Sequence, residues 1–96
     1  MNSFGVELPD TETLLAEETE VLLPAKVVLY NDEVHTFDEV IFQLMKATGC
    51  SPQTGEDLAF EVDTRGLAIV YEGEMVECLH VSSVLEEISL HTEVKF

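Results

Sequence analysis

The chain has no Trp, two Cys and only four Lys or Arg, against 20 Asp or Glu, so its 96 residues carry a formal net charge of −16. Nucleic-acid binding depends on cations that neutralise phosphates, and four bases cannot supply them. The same field disfavours anionic membrane surfaces. It attracts cationic partners and raises their encounter rate, besides favouring solubility. No apolar run approaches the roughly 20 residues of a membrane span. Met1-Asn2-Ser3-Phe4 lacks the basic start and following apolar stretch of a secretory signal, so a cytoplasmic chain is expected. Cys50 and Cys78 lie far apart and form no CxxC. In a reducing compartment they read as free, partly buried thiols.

Catalytic patterns are also missing. Ser3, Ser51, Ser82, Ser83 and Ser89 sit in no GxSxG context. Glu33 and Asp63 could be paired acids, but nothing in the sequence marks a cleft around them. His35, His80 and His91 show no i, i+4 or HxH spacing, and no EF-hand loop is present. The expectation is a non-enzymatic protein with no metal and no cofactor.

The length suits one small domain, and 46% hydrophobic residues are enough for one core. Residues 1–24 contain no Lys or Arg; Glu7, Asp10, Glu12, Glu17, Glu18 and Glu20 alternate with short apolar groups, and Pro9 and Pro24 interrupt them. This composition reads as a mobile acidic arm ending at Pro24, with residues 25–96 as the folded core. Residues 26–30 are β-branched or aromatic and suit a mostly buried strand. Thr36-Phe37-Asp38-Glu39 fits a capping box. The helix it opens runs from Phe37 to Thr48, with Phe37, Val40, Ile41, Leu44 and Met45 on one face and Gly49 as its stop. Ser51-Pro52 starts a second helix ending at Arg65-Gly66, with Leu58, Ala59 and Val62 as its apolar positions and Gly55 weakening its first turn. A strand follows over Leu67–Tyr71, then a turn at Glu72-Gly73. A third helix is expected over 74–89 with Val76, Leu79, Leu85 and Ile88 inward, and a closing strand over Thr92–Phe96. The order βααβαβ, with no internal repeat, implies an α/β (α+β) two-layer sandwich: a three-stranded, largely antiparallel sheet with helices on one face.

The most informative stretch is Asn31-Asp32-Glu33-Val34-His35-Thr36, between the first strand and the first helix. It places an amide, two carboxylates and an imidazole beside an apolar surface. Such a mouth suits a small cation attached to an apolar group, as at the free α-amino end of a peptide with a bulky first residue. Asn and Asp also serve turns for purely local reasons. Local turn chemistry does not account for Glu33, or for Asp63 near the C-terminus of the second helix, where the helix dipole disfavours an acid.

Residues 26–73 resemble the core of the Clp protease adaptor family ClpS. The resemblance is carried by Val27-Val28-Leu29-Tyr30-Asn31-Asp32, the helix after it, and Val62-Asp63-Thr64-Arg65-Gly66-Leu67-Ala68-Ile69. Asn31 to Val40 and Val62-Asp63 are also similar to the ClpS-like domain of eukaryotic N-recognin ubiquitin ligases. The resemblance covers about half of the chain strongly and the C-terminal third loosely.

It implies an adaptor that binds proteins with a bulky hydrophobic N-terminal residue and delivers them to an AAA+ Clp unfoldase of the ClpA or ClpC type. It implies Asn31, Glu33 and Asp63 around the α-amino group, with Asp32 and His35 supporting the turn. Glu33 stands where bacterial adaptors usually have Asp, and Asp63 where they usually have His. A carboxylate in place of a neutral imidazole makes the bond to an ammonium charge-assisted. Leu29, Phe37, Val40, Ala59 and Val62 would form the hydrophobic pocket. Phe37 stands in place of a gatekeeping Met and Ala59 in place of a larger apolar residue; simple core packing is the other reading of Phe37. Glu74, Glu77 and His80 would face the unfoldase, with His80 replacing a Lys. The implied protein is a monomer, with no nucleic-acid or membrane partner. Two alternatives remain: an unfoldase-binding modulator that has lost cargo recognition, and an acidic decoy for a basic partner.

Overall fold

A computed structural model describes residues 24–96. The acidic arm expected over residues 1–24 therefore lies outside the described residues, apart from Pro24, which begins the first strand. The elements are β1 (Pro24–Tyr30), α1 (Phe37–Thr48), α2 (Pro52–Arg65), β2 (Leu67–Glu74), α3 (Met75–Glu86) and β3 (His91–Lys95). The three strands form one antiparallel sheet in the order β2-β1-β3.

Local chemistry sets the first two helices. The Thr36 hydroxyl accepts the Glu39 N–H at 3.1 Å, and the Glu39 carboxylate accepts the Thr36 N–H at 2.8 Å, closing the capping box. Gly49 ends α1 in the left-handed region at φ 75°. Ser51 caps α2 through the Thr54 N–H, with Pro52 in the first turn. Gly66 ends α2 at φ 89°. Gly55 does more than weaken its turn: a Cβ there would lie 3.3 Å from Cγ2 of Ile41, so its bareness lets α2 approach α1 closely.

Strand β1 runs through the centre of the sheet and turns Ala25, Val27 and Leu29 to the helices, where Val27 and Leu29 are fully buried. Leu44 and Ala47 of α1, Val62 of α2, Ala68 and Val70 of β2, and Leu85 of α3 complete the core. Between Val27 and Val28 the pairing to β2 skips Val70. This bulge lets Val70 and Tyr71, though consecutive, both pack toward the core.

Two expectations are corrected. Glu72-Gly73 is not a turn: β2 continues to Glu74, and α3 starts at the next residue. Gly73 pairs with Ala25, and a Cβ on it would fall 2.7 Å from the Glu77 carboxylate and 3.0 Å from the Tyr71 ring. The Glu77 and Tyr71 side chains thus close over this glycine, and they would have to shift to admit a larger residue. The face of α3 also differs. Val76 and Leu79 are 58% and 54% exposed, and Cys78, Val81, Val84 and Leu85 are buried. Apolar residues surround nearly the whole of this helix, so their spacing does not single out an inner face. In α1 the buried residues are Gln43, Leu44 and Ala47; Val40, Ile41 and Met45 are half-buried. Gln43 is tolerated inside because its amide donates to the Val84 carbonyl. Cys50 and Cys78 are both free thiols. No described helix is long and apolar enough to cross a membrane.

Candidate functional site: a pocket between the first turn and the second helix

At the end of β1 the chain leaves the sheet, and the Asn31 N–H donates to the Gly66 carbonyl at 2.9 Å. This bond ties the start of the turn to the end of α2. The Asp32 carboxylate organises the rest of the turn. Its Oδ1 accepts the N–H groups of Val34 at 2.9 Å and His35 at 3.0 Å, and its Oδ2 faces Nδ1 of His35 at 2.8 Å. Burial pushes the Asp32 pKa up, but the two backbone donors and the imidazole outweigh it and hold the group below the ordinary carboxylate value. The other ring nitrogen of His35, Nε2, meets the main-chain carbonyl of Ile88.

A pocket of about 100 Å³ opens beside this turn. One water needs about 10–15 Å³ of such space, so the pocket has room for a side chain. Leu29, Val40, Ala59, Val62 and Leu90 supply apolar surface, and Phe37, 40% exposed, also lines it. Asn31, Asp32, His35, Thr36 and Asp63 supply polar groups. Among the described residues, the side chains of Asn31 and Asp63 have no hydrogen-bond partner.

The expected residues are distributed unevenly. Leu29, Phe37, Val40, Ala59 and Val62 all line the pocket, as do Asn31, Asp32, His35 and Asp63. Glu33 is exposed and is not part of the lining. Tyr30, Thr36 and Leu90 line it although sequence reasoning did not place them there. Thr36 was legible as a cap and Tyr30 as a strand residue, but Leu90 carried no signal. It reaches the pocket through the turn after α3, in which Ser89 adopts a left-handed φ of 69°. Glu74 precedes α3 as its N-cap, without a side-chain cap bond. Glu77 accepts the Tyr71 hydroxyl at 3.0 Å, and with His80 it lines a second, shallow groove between α1 and α3. Among the described residues, no three His, Cys, Asp or Glu side chains are grouped to hold a metal.

A three-stranded antiparallel sheet with three helices, and a half-apolar, half-polar pocket at the strand-to-helix turn, defines an α+β domain with a candidate binding pocket. Comparison with known proteins places it further. The family described as "ATP-dependent Clp protease adaptor protein ClpS" matches residues 23–93, and the chain belongs to that family. The structure of Agrobacterium tumefaciens ClpS2 bound to L-phenylalaninamide superimposes with a TM-score of 0.72 at 19% identity, covering 77% of this chain and 96% of that one. The chain is also similar to E3 ubiquitin-protein ligase UBR2 of Homo sapiens, 32% identical over 95 residues, covering 88% of this chain and 5% of the ligase. UBR1 of Drosophila melanogaster is 41% identical over 51 residues, covering 53% of this chain and 3% of that ligase. The chain thus spans only a small part of the ligases it matches.

Proposed function

We propose that this domain binds the first residue of proteins that begin with a bulky hydrophobic side chain and acts as their degradation adaptor. The observation that carries the reading is the coincidence of an apolar pocket with two oxygen-bearing side chains in its lining, Asn31 and Asp63, that have no partner among the described residues. An ammonium takes the oxygens and the neighbouring ring or branch takes the hole. The solved relative is bound to L-phenylalaninamide, a molecule with a free α-amino group and an aromatic side chain.

Burying such a side chain contributes roughly 1.5–3 kcal/mol, and each hydrogen bond to a charged group about 1.5–3 kcal/mol. After the costs of association, binding in the micromolar range is expected. Peptides starting with Phe, Leu, Tyr or Trp should bind in titration calorimetry, and the same peptides acetylated at the amino terminus should not. Equal affinity for the two forms would reject the reading.

Delivery to an AAA+ Clp unfoldase of the ClpA or ClpC type is the hand-off that family membership suggests, with Glu74, Glu77 and His80 of the α3 region as its contact. The similarity to ubiquitin ligases favours a second destination, in which the same pocket serves a ubiquitin-dependent route. Pull-downs with an immobilised N-terminal Phe peptide as bridge separate the two. Recovery of a Clp ATPase supports the first, and recovery of a ligase without any ATPase supports the second.

A further inference from the structure

The imidazole of His35 stands between two oxygen acceptors from distant parts of the chain. Nδ1 lies 2.8 Å from the Asp32 carboxylate, and Nε2 meets the carbonyl of Ile88, 53 residues later. A neutral imidazole has one N–H. It can donate to one of these oxygens and must turn a lone pair toward the other. Only the imidazolium donates to both. The His35 side chain is 11% exposed, so little water is at hand to relieve a mismatch.

Both partners reach the pocket. Asp32 holds the turn that carries Asn31. Ile88 is followed by Ser89, in its left-handed conformation, and by Leu90, which is 4% exposed and lines the pocket. The ring thus links the polar rim to one apolar wall.

We infer that His35, as an imidazolium, is a positioning residue that clamps the Asn31-Asp32 turn to the Ile88–Leu90 turn, so that the pocket keeps its binding shape only while the ring is charged. The consequence for peptide affinity rests on the proposed function; the clamp itself does not.

The surroundings favour the charged ring. Asp32 and Glu39 flank it from its own turn and from α1, and Gln43 of α1 is neutral. Across the pocket stand Asp63 of α2 and the Tyr30 phenol of β1. The Ile88 turn presents a carbonyl, and the neighbouring Glu87 carboxylate is engaged by Lys46 at 2.9 Å. The bond to Asp32, then the Ile88 carbonyl, raise the His35 pKa above the ordinary histidine value, against the effect of burial. The clamp is therefore closed below that raised value, for as long as Asp32 stays ionised, and is released as pH rises through it.

Two measurements on the full chain test this. Long-range ¹⁵N–¹H imidazole spectra followed with pH should show protons on both ring nitrogens of His35 persisting above about pH 6.5, the ordinary histidine value; loss of one proton at or below that value overturns the inference. Affinity for a peptide with N-terminal Phe is then followed with pH for the wild type and for His35→Gln. The peptide amine itself titrates near about 7.7–8.0, equally for both proteins, so the readout is their difference. His35→Gln should bind roughly tenfold more weakly at low pH and converge on the wild type at high pH. Parallel profiles with a constant offset would mark a merely structural histidine and overturn the pH-gated clamp. If no peptide binds the wild type at any pH, the functional reading fails, while the spectra still decide the clamp.

Discussion

Asp32 and Asp63 line the same pocket and have opposite duties. The Asp32 carboxylate is engaged by two backbone N–H groups and an imidazole. It shapes the turn and has little left for a ligand. Asp63 has no partner among the described residues and is available to an incoming ammonium. Asp63→Ala is expected to weaken binding of a Phe-initial peptide about tenfold, or about 1.4 kcal/mol, and to leave the melting temperature nearly unchanged; calorimetry and thermal denaturation check the two halves. Asp32→Asn should instead lower stability. Because the folded-state pKa of Asp32 lies below its ordinary value, its stabilisation is full above the unfolded pKa and is lost as pH falls through the folded one. The gap in melting temperature between wild type and Asp32→Asn should therefore be widest at neutral pH and close in acid. A gap that persists in strong acid would contradict this assignment.

At the scale of elements, α1 and α2 were legible because each carries its own start and stop. Thr36 with Glu39, Ser51 with Pro52, and the glycines at 49 and 66 act within a few residues of one another. Thr36→Ala removes one of the two capping-box bonds and should cost about 1 kcal/mol; it should also perturb the pocket, which Thr36 lines. Gly55 reports on the fit between α1 and α2. Gly55→Val should destabilise by about 1–3 kcal/mol through overpacking against Ile41 and Met45, measured by urea denaturation. No loss of stability would mean that the two helices are not in close contact there. Strand β2 and helix α3 were read less well. The polar, flexible pair Glu72-Gly73 has the composition of a turn, but pairing with β1 keeps it extended. The buried face of α3 was set by what the helix packs against, since its own residues are apolar on several sides.

At the scale of the whole molecule, charge dominates. Acids outnumber bases 20 to 4, and two of the four bases, Lys26 and Lys95, are directly opposite each other on β1 and β3. Like charges so placed repel, and the acids repel one another across the surface. Screening acts over about 10 Å at roughly 0.1 M salt, so added sodium chloride should raise the melting temperature at neutral pH; a fall on adding salt would show that attractive ion pairs outweigh the net charge. Binding of a cationic peptide terminus should weaken over the same range.

The residues alone determined the order of elements, the caps of the first two helices and the polar turn after β1, because these depend on neighbours a few positions apart. They also marked most of the pocket, Asn31, Asp32, Asp63 and the apolar positions, through resemblance to a family. Tertiary structure decided the strand order β2-β1-β3, the inner face of α3, the absence of Glu33 from the pocket, and the arrival of Leu90 and the Ile88 carbonyl beside His35. Each of those depends on packing between segments dozens of residues apart, where no local spacing, cap or alternation records which surfaces will meet.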